Sequence, residues 1–353
     1  MLGFKNLFTA LGLVSLIAAC SSDNSFYLQG EEETFLQSVT QSNVKIDILW
    51  VVDNSGSMAS SQDNVAANFQ SFIEKFQSTQ FDFQIAVTTT DAWRAPVDGN
   101  PALARFRDGT DATSHTGVTV IKPDTPDIEQ TFITNIRQGI TGHADERGLQ
   151  SLKEALSNSD NLAEPFPRTD AILAVIVLTD EDDFSHDGTA NVQNIPDPYN
   201  NPDLHDPMIY YDFLSTLTNS TTEKRNFIFN VIGILDEDCK AEIEAGWGGR
   251  KLAERYFPVV DASGGYKGSI CDDFSDVMAG ISDKILEYTT RFPLSREPVV
   301  SSIVVKVDGN TIPNDATNGW SYDANTMSIS FHGNAIPGKD AKVAVSFDPA
   351  GLK

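Results

Sequence analysis

The stretch KIDILWVVDNSGSM, residues 45–58, joins an apolar run to a short polar turn. The run is apolar at nearly every position, which is typical of a parallel strand covered on both faces. Asp53, Ser55 and Ser57 follow it at alternating positions. Apolar side chains then recur at helical spacing over residues 58–78. The stretch therefore predicts a buried strand, a polar turn and a helix.

Similar apolar runs lie later in the chain, at 83–89, 171–179 and 226–235, and segments with helical spacing separate them. Strands that alternate with helices predict an α/β domain with a doubly wound, mostly parallel, Rossmann-like sheet. Two loop-rich insertions, at 91–127 and 181–207, are expected to interrupt this order.

The end of the chain has a different pattern. After the fourth strand we expect helices near 241–255 and 272–290, with a short strand at 257–260 between them. Residues 292–353 then hold short apolar stretches that are separated by turn signals. We expect a small all-β module here, leaning on the larger domain because so short a segment makes a thin core.

Polar side chains stand at the ends of two of the predicted strands. Asp53, Ser55 and Ser57 follow the first strand, with Gly56 permitting the turn, and Asp180 follows the run AILAVIVLT. In open α/β sheets, the carboxyl ends of the strands are where ligands bind. Carboxylate and hydroxyl oxygens suit a hard cation such as Mg²⁺. An ordinary turn that caps the helix is the alternative for the first segment taken alone.

The segment KIDILWVVDNSGSM strongly resembles the first motif of von Willebrand factor A (VWA) domains, where it begins the metal-ion-dependent adhesion site (MIDAS). The resemblance covers residues 44–291. It implies that Asp53, Ser55 and Ser57 bind a divalent cation and that Asp180 completes the site, usually through water. Mg²⁺ is the expected cation, with Ca²⁺ and Mn²⁺ as alternatives.

The VWA family also uses a threonine from a loop between these two motifs. In the corresponding loop, residues 139–149, the only threonine is Thr141. The next helix begins only near Glu146, so Glu146 is an alternative ligand from this loop. A carboxylate there would weaken the attraction of the site for an anionic ligand. The acidic run 180–183 could bind a second cation such as Ca²⁺, or it could be a solvated loop.

The N-terminus has the features of a lipoprotein signal peptide over residues 1–19. A single positive charge, Lys5, precedes an apolar run that is too short to span a bilayer comfortably. The run ends in Ile-Ala-Ala-Cys, which resembles a bacterial lipobox, so Cys20 is the expected lipidation site. An uncleaved anchor or a buried cysteine is the alternative. Residues 20–43 are polar and acidic, and we expect a tether with little structure of its own.

Lipidation predicts a protein anchored in the bacterial outer membrane, at the cell surface or on the periplasmic face. In such an oxidising compartment the two remaining cysteines, Cys239 and Cys271, should form a disulfide bond. Two free buried thiols are the alternative.

The chain is strongly acidic, with 25 Lys and Arg against 50 Asp and Glu and a formal charge of −25. This charge argues against nucleic acid as a partner, and it favours divalent cations and basic partners.

The motifs point to binding rather than catalysis. The sequence has no P-loop, no G-x-S-x-G and no histidine spacing typical of zinc sites. Ser185, His186 and Asp187 are adjacent in sequence, and a catalytic triad needs residues from separate segments. A phosphatase of the haloacid dehalogenase type would need a second aspartate where Ser55 stands, so a metal-dependent hydrolase is a remote alternative.

We therefore expect a protein that engages a carboxylate on a protein or surface glycan through its metal, in adhesion. An envelope assembly or scaffold lipoprotein that faces the periplasm is the main alternative.

Overall fold

The structure is a computed structural model. It describes residues 31–36, 45–79, 81–110, 115–189, 191–192, 198–221, 225–244, 250–338 and 341–350. The expected signal peptide and Cys20 lie outside these residues. Among the helices that are described, none is long and apolar enough to cross a membrane.

The strands are β1 (Glu31–Leu36), β2 (Lys45–Val52), β3 (Asp82–Thr89), β4 (Val120–Ile121), β5 (Ala171–Leu178), β6 (Phe227–Gly233), β7 (Lys267–Ser269), β8 (Phe292–Pro293), β9 (Val304–Val307), β10 (Asn310–Ile312), β11 (Trp320–Asp323), β12 (Ser328–Phe331) and β13 (Lys342–Phe347).

The α-helices are α1 (Ala59–Ala67), α2 (Phe69–Thr79), α3 (Arg94–Val97), α4 (Ile128–Ile136), α5 (Gly148–Ser157), α6 (Met208–Leu217), α7 (Glu237–Glu244), α8 (Phe257–Ser263) and α9 (Phe274–Thr289). Short 3₁₀ turns lie at Pro101–Ala104, Asn161–Ala163, Pro198–Asn200, Val300–Ser302 and Gly333–Ala335.

The central sheet contains six strands in the order β4-β3-β2-β5-β6-β7. Strand β2 pairs in parallel with β3 on one side and with β5 on the other, along its whole length. The pairs β5-β6 and β6-β7 are also parallel, and β4 runs antiparallel at the edge. The chain leaves β2 in one direction across the sheet and later returns to β5 on its other side. The carboxyl ends of β2 and β5 therefore flank the topological switch point, where such folds bind ligands.

Two layers of helices cover this sheet. Successive residues of β2 point to opposite faces, so Trp50 packs in one core and Leu49 in the other. The Trp50 core includes buried side chains of α1, α2, α4 and α9, among them Phe72, whose ring centroid lies 5.7 Å from that of Trp50. The Leu49 core includes side chains of α5, α6 and α8. Each fully buried large apolar side chain contributes about 1.5–3 kcal/mol. The predicted doubly wound α/β class is confirmed.

The end of the chain forms the expected small all-β region. Four strands in the order β1-β13-β9-β10 and three in the order β11-β12-β8 make two antiparallel sheets. Between them lies a separate core that includes Val305, Trp320, Phe331 and Val345. Ile336 packs against both this core and that of the larger domain, so the small region leans on its neighbour.

Strand β1 departs from the expectation of an unstructured tether over residues 20–43. It pairs antiparallel with β13, from Glu31 opposite Phe347 to Leu36 opposite Lys342. Without β1, β13 would be an edge strand with unpaired backbone groups, and a backbone of any composition can bond to such groups. A polar, acidic sequence therefore gave no warning of this strand.

The region after β6 also differs from the prediction. Residues 257–260, expected to be a strand, begin helix α8. The β-branched residues there suggested a strand, but Pro258 stands in the first helical turn and Gly264 ends the helix with a positive φ of 68°. These helix signals outweigh the local β propensity. A short strand, β7, which the sequence did not suggest, follows instead.

The helix expected near 241–255 begins earlier, as α7. The side chain of Asp236 accepts a hydrogen bond from the backbone N–H of Cys239 at 2.8 Å, and it thereby caps the first turn. Residues 250–253 are not helical.

Candidate metal centre

The candidate site lies at the carboxyl ends of β2 and β5, which are neighbours in the sheet. Asp53 follows β2, and its backbone N–H donates to the carbonyl oxygen of Leu178 at the end of β5, at 2.9 Å. Asp180 follows β5 by two residues. Both aspartates are buried, with 0% and 3% of their surface exposed. The parallel pairing of the two strands is therefore what brings the two carboxylates to one place.

The two serines join these carboxylates through hydrogen bonds. Ser57 Oγ donates to Asp180 Oδ1 at 3.2 Å, and the hydroxyl oxygens of Ser55 and Ser57 lie 3.3 Å apart. The backbone N–H of Ser55 donates to Asp53 Oδ1 at 2.8 Å. The structure thus brings together Asp53, Ser55, Ser57 and Asp180, as the sequence predicted for these four side chains.

Gly56 does not have the role expected for it. Its φ is not positive, and a Cβ atom added there would meet no atom within 4 Å. The turn therefore does not require glycine at this position.

The electrostatics of the site favour a cation. Burial is the largest cause that raises the pKa of Asp53 to about 7, and the charge of Asp180 is the second. Hydrogen bonds from Ser55 and Thr179 lower this pKa and offset part of the rise. Burial also raises the pKa of Asp180, although the charge of Arg250 and the hydrogen bond from Ser57 lower it in part. Two buried carboxylates side by side are stabilised by a proton or a positive ion between them.

The donor set fits a hard divalent cation, because it combines carboxylate with hydroxyl oxygens. The site relies on the hydroxyls as much as on the acids. Over the part of the chain that is described, no three His, Cys, Asp or Glu side chains form a metal-binding group by themselves.

Thr141 lies on the loop that covers this site. Its neighbour Gly139 makes two hydrogen bonds with the side-chain amide of Gln62, and Gly142 N–H donates to the carbonyl oxygen of Asn54 at 2.7 Å. The loop is therefore fixed on both sides of Thr141, to α1 through Gln62 and to the first motif through Asn54. Thr141 itself is exposed, and within the described residues no hydrogen bond joins its hydroxyl to the four site residues.

Glu146, the alternative ligand from the same loop, is buried with only 2% of its surface exposed. Burial, followed by the charges of Asp53, Glu181 and Asp180, raises the pKa of Glu146 to about 10. Its carboxyl group therefore lies near enough to Asp53, Asp180 and Glu181 to interact with their charges. Thr141 is exposed and Glu146 is buried, and both stay candidates.

The sequence did not suggest the roles of Arg250 and Glu181. Arg250 Nη2 lies 3.4 Å from Asp180 Oδ2, and Arg250 Nη1 lies 3.0 Å from Glu181 Oε1. Burial is the largest cause that raises the pKa of Glu181 to about 8, and the charge of Asp180 is the second. The bond with Arg250 lowers this pKa and offsets part of the rise. Arg250 comes from an irregular segment far along the chain, and no local pattern marks it.

The acidic run 180–183 is buried, so it is not a solvated loop. Asp182 accepts the backbone N–H groups of Asp183 and Arg255 at 2.9 and 2.8 Å. Asp183 accepts the N–H groups of Leu149 and Ser185 at 2.9 and 3.1 Å. Both side chains are fully buried. Both carboxylates thus accept bonds from backbone groups: Asp183 fixes the loop after β5 to the start of α5, and Asp182 fixes it to the backbone of Arg255.

Ser185, His186 and Asp187 do not form a triad. The Nε2 atom of His186 lies 3.1 Å from Nη2 of Arg147, and Ser185 donates to Asp183. The side chain of Asp187 is 95% exposed. These residues belong to the structure around Arg147, which is buried and also donates to the carbonyl oxygen of His186 at 2.8 Å.

Cys239 and Cys271 form a disulfide bond in the structure. Cys239 lies in α7, which follows β6, and Cys271 lies between β7 and α9. Both segments follow strands of the central sheet, so the bond joins α7 to the loop before α9 at the same edge of the sheet as Asp53 and Asp180.

No family model and no curated protein matches the chain. Among solved structures, the pilus adhesin SpaC from Lactobacillus rhamnosus GG in its open conformation matches 88% of this chain and 40% of its own, at 14% identity and a TM-score of 0.44. The pilus adhesin RrgA from Streptococcus pneumoniae matches 90% of this chain and 58% of its own, at 12% identity and a TM-score of 0.30.

Proximal thread matrix protein 1 from the mussel byssus, with a zinc-occupied MIDAS motif, matches 72% of this chain and 48% of its own, at 16% identity and a TM-score of 0.35. The chain thus spans between 40% and 58% of the length of these three proteins. At such identities and TM-scores, function has to be argued from the residues of this chain.

Proposed function

We propose that the chain is a lipid-anchored binding protein of the bacterial outer membrane, and that its metal centre engages a carboxylate on a protein or surface glycan. The observation that carries the proposal is the 3.2 Å contact between Ser57 and Asp180, which joins the two motifs of the site. Adhesion at the cell surface is the function that such a site serves best.

Each residue has a distinct task in this proposal. Asp53, Ser55 and Ser57 supply oxygen ligands from one loop, and Asp180 completes the set from the next strand. Thr179 holds Asp53 in place, since its hydroxyl donates to Asp53 Oδ2 at 2.9 Å. The bound cation, expected to be Mg²⁺ with Ca²⁺ and Mn²⁺ as alternatives, supplies an electron-pair acceptor for the carboxylate of the partner.

The strong negative charge of the chain shapes the choice of partner. At long range it repels acidic molecules, so affinity for a carboxylate has to come from the metal at short range. Binding is therefore expected to depend steeply on the cation.

We propose binding rather than catalysis as the activity of this site. Ser55 and Ser57 are hydrogen-bonded to each other and to acidic side chains, and no histidine accepts a proton from either hydroxyl in the described part of the chain. A hydroxyl in such surroundings is suited to ligation rather than to nucleophilic attack. A metal-dependent hydrolase stays a remote alternative.

Two measurements test the proposal. Calorimetric titration of the full chain with Mg²⁺ or Mn²⁺ should show binding that Ser55→Ala or Asp180→Ala abolishes. Ser60→Ala is the matched control, because Ser60 is exposed on α1 and lies outside the site. Adhesion of intact cells to surfaces coated with acidic proteins or sialylated glycans should then be lost in chelator and in the same two variants.

Adhesion that persists after metal uptake is lost would move the binding surface elsewhere, with the C-terminal β region next in line. Surface labelling of intact cells separates the alternatives. A protein that becomes labelled only after the outer membrane is opened would favour an assembly or scaffold role in the periplasm.

A further inference from the structure

We propose that the guanidinium of Arg250 is a permanent positive charge within the metal centre and that it sets the affinity of the centre for divalent metal. The inference rests on the proposed metal site, and it assigns a role to a residue outside the motifs. Arg250 is 8% exposed and contacts both Asp180 and Glu181.

The two oxygens of Asp180 are divided between two partners. Ser57 donates to Oδ1 at 3.2 Å, and Arg250 Nη2 lies 3.4 Å from Oδ2. A metal bound on the side of Ser57 would therefore share this carboxylate with the guanidinium. An arginine side chain stays protonated in proteins, so its charge cannot leave when metal arrives.

The acidic groups around Asp180 outnumber the single guanidinium that contacts it. The carboxyl groups of Asp53 and Glu181 interact electrostatically with that of Asp180, and Glu146 interacts with all three. Of these four acids, Asp180 and Glu181 contact Arg250. One fixed positive charge offsets part of this acidity when metal is absent. The same charge repels an incoming divalent cation, strongly because the surroundings are buried.

Arg250 therefore acts in two opposite ways. It stabilises the metal-free protein, and it weakens the affinity for metal. Removing its charge should reverse both effects: the metal-free protein should become less stable and the affinity for metal should rise. Loss of a purely structural residue would not show this combination, because loss of structure would weaken metal binding as well.

The test is calorimetric titration of the full chain with Mn²⁺, in wild type, Arg250→Gln and Arg250→Lys. We expect Arg250→Gln to bind Mn²⁺ at least about tenfold more tightly, the size of effect that residues around metal ligands commonly have. Arg250→Lys, which keeps the charge, should stay within about threefold of wild type. Arg105→Gln is the matched control: it removes the same charge from the exposed Arg105–Asp160 ion pair, away from the site.

Unchanged or weaker Mn²⁺ binding in Arg250→Gln would overturn the proposal. So would a Lys variant that behaves like the Gln variant. If wild type and Ser55→Ala bind Mn²⁺ equally, the proposed metal site is itself wrong, and this result is distinct from a failure of Arg250 alone.

Thermal unfolding in chelator and in Mn²⁺ keeps the test decisive if Arg250→Gln folds poorly. Its melting temperature in chelator should fall below that of wild type, and Mn²⁺ should restore most of the loss by replacing the missing positive charge. A variant that Mn²⁺ cannot restore would show a structural role only, and the proposal would be wrong.

Discussion

Gln62 and Gly139 make two reciprocal hydrogen bonds: the amide Nε2 of Gln62 donates to the carbonyl oxygen of Gly139 at 2.9 Å, and the N–H of Gly139 donates to Oε1 at 3.1 Å. The same Nε2 atom donates to the carbonyl oxygen of Asp53 at 2.9 Å. One buried side chain therefore fixes the distance between the first motif and the loop that carries Thr141.

Replacing Gln62 with Ala should loosen both segments at once. Leaving the buried backbone groups unpaired should lower the free energy of unfolding by about 1–3 kcal/mol. Urea unfolding measures this loss, and Mn²⁺ titration should show weaker binding as well. Gln70→Ala, on the exposed face of α2, is the control. Equal stability of the two variants would contradict the role assigned to Gln62.

The ligand from the second loop can be decided by paired variants. Thr141→Ala should weaken metal uptake strongly, whereas Thr141→Ser, which keeps the hydroxyl, should not. Glu146→Gln should weaken it only slightly. Calorimetric titration with Mg²⁺ and Mn²⁺ measures all three, and the reverse order of effects would make Glu146 the ligand.

Two glycines near the site should respond differently to substitution by Ala. A Cβ atom at Gly142 would lie 2.6 Å from the side chain of Asn54 and 2.7 Å from its carbonyl oxygen. Gly142→Ala should therefore displace the loop and cost about 1–3 kcal/mol of stability. Gly56→Ala is the control, with open space around the added atom. Thermal unfolding of both variants checks the contrast, and similar melting temperatures would refute it.

The Cys239–Cys271 bond should contribute measurably to stability. It closes a loop with a sequence separation of 32, for which chain entropy predicts about 3–4 kcal/mol. Urea unfolding with and without reductant measures this contribution, and Cys239→Ala with Cys271→Ala gives the same comparison without reductant. Peptide mapping without reduction provides the chemical check: two alkylatable thiols in protein isolated from its native source would contradict the pairing.

Lipidation of Cys20 stays a prediction from the sequence. Mass spectrometry of the native N-terminal peptide should find acylated Cys20 as the first residue. Cys20→Ser should release the protein from membranes or stop its processing. Recovery of the peptide that begins with Met1 as the main species would refute the prediction.

The parts of the fold that follow from local burial could be predicted. Strand β5 is apolar along its whole length, and β2 is apolar at all positions except Lys45 and Asp47, because both strands are covered on both faces; this pattern is visible in the sequence. Once these strands are parallel neighbours, the meeting of Asp53 and Asp180 follows from topology. The residue types of the first motif then suggested the cation.

The parts that depend on distant partners could not be predicted. Arg250 contacts Asp180 from a segment without regular structure, and the residues next to Arg250 in the sequence form no pattern that predicts an ion pair. Strand β1 forms through backbone hydrogen bonds, which the pattern of side chains in the sequence does not predict. The start of α8 is a different case, because Pro258 and Gly264 were visible helix signals that the β-branched residues between them obscured.

The pairing of β1 with β13 has a mechanical consequence. A pull on the chain before Glu31 that is directed along β1 and resisted at the metal centre would load β1 along its own axis before it reached β2. The hydrogen bonds of an antiparallel pair are perpendicular to that axis, so the pull would shear the pair rather than unzip it. The six residue pairs between Glu31 and Leu36 and their partners would then share the load at once.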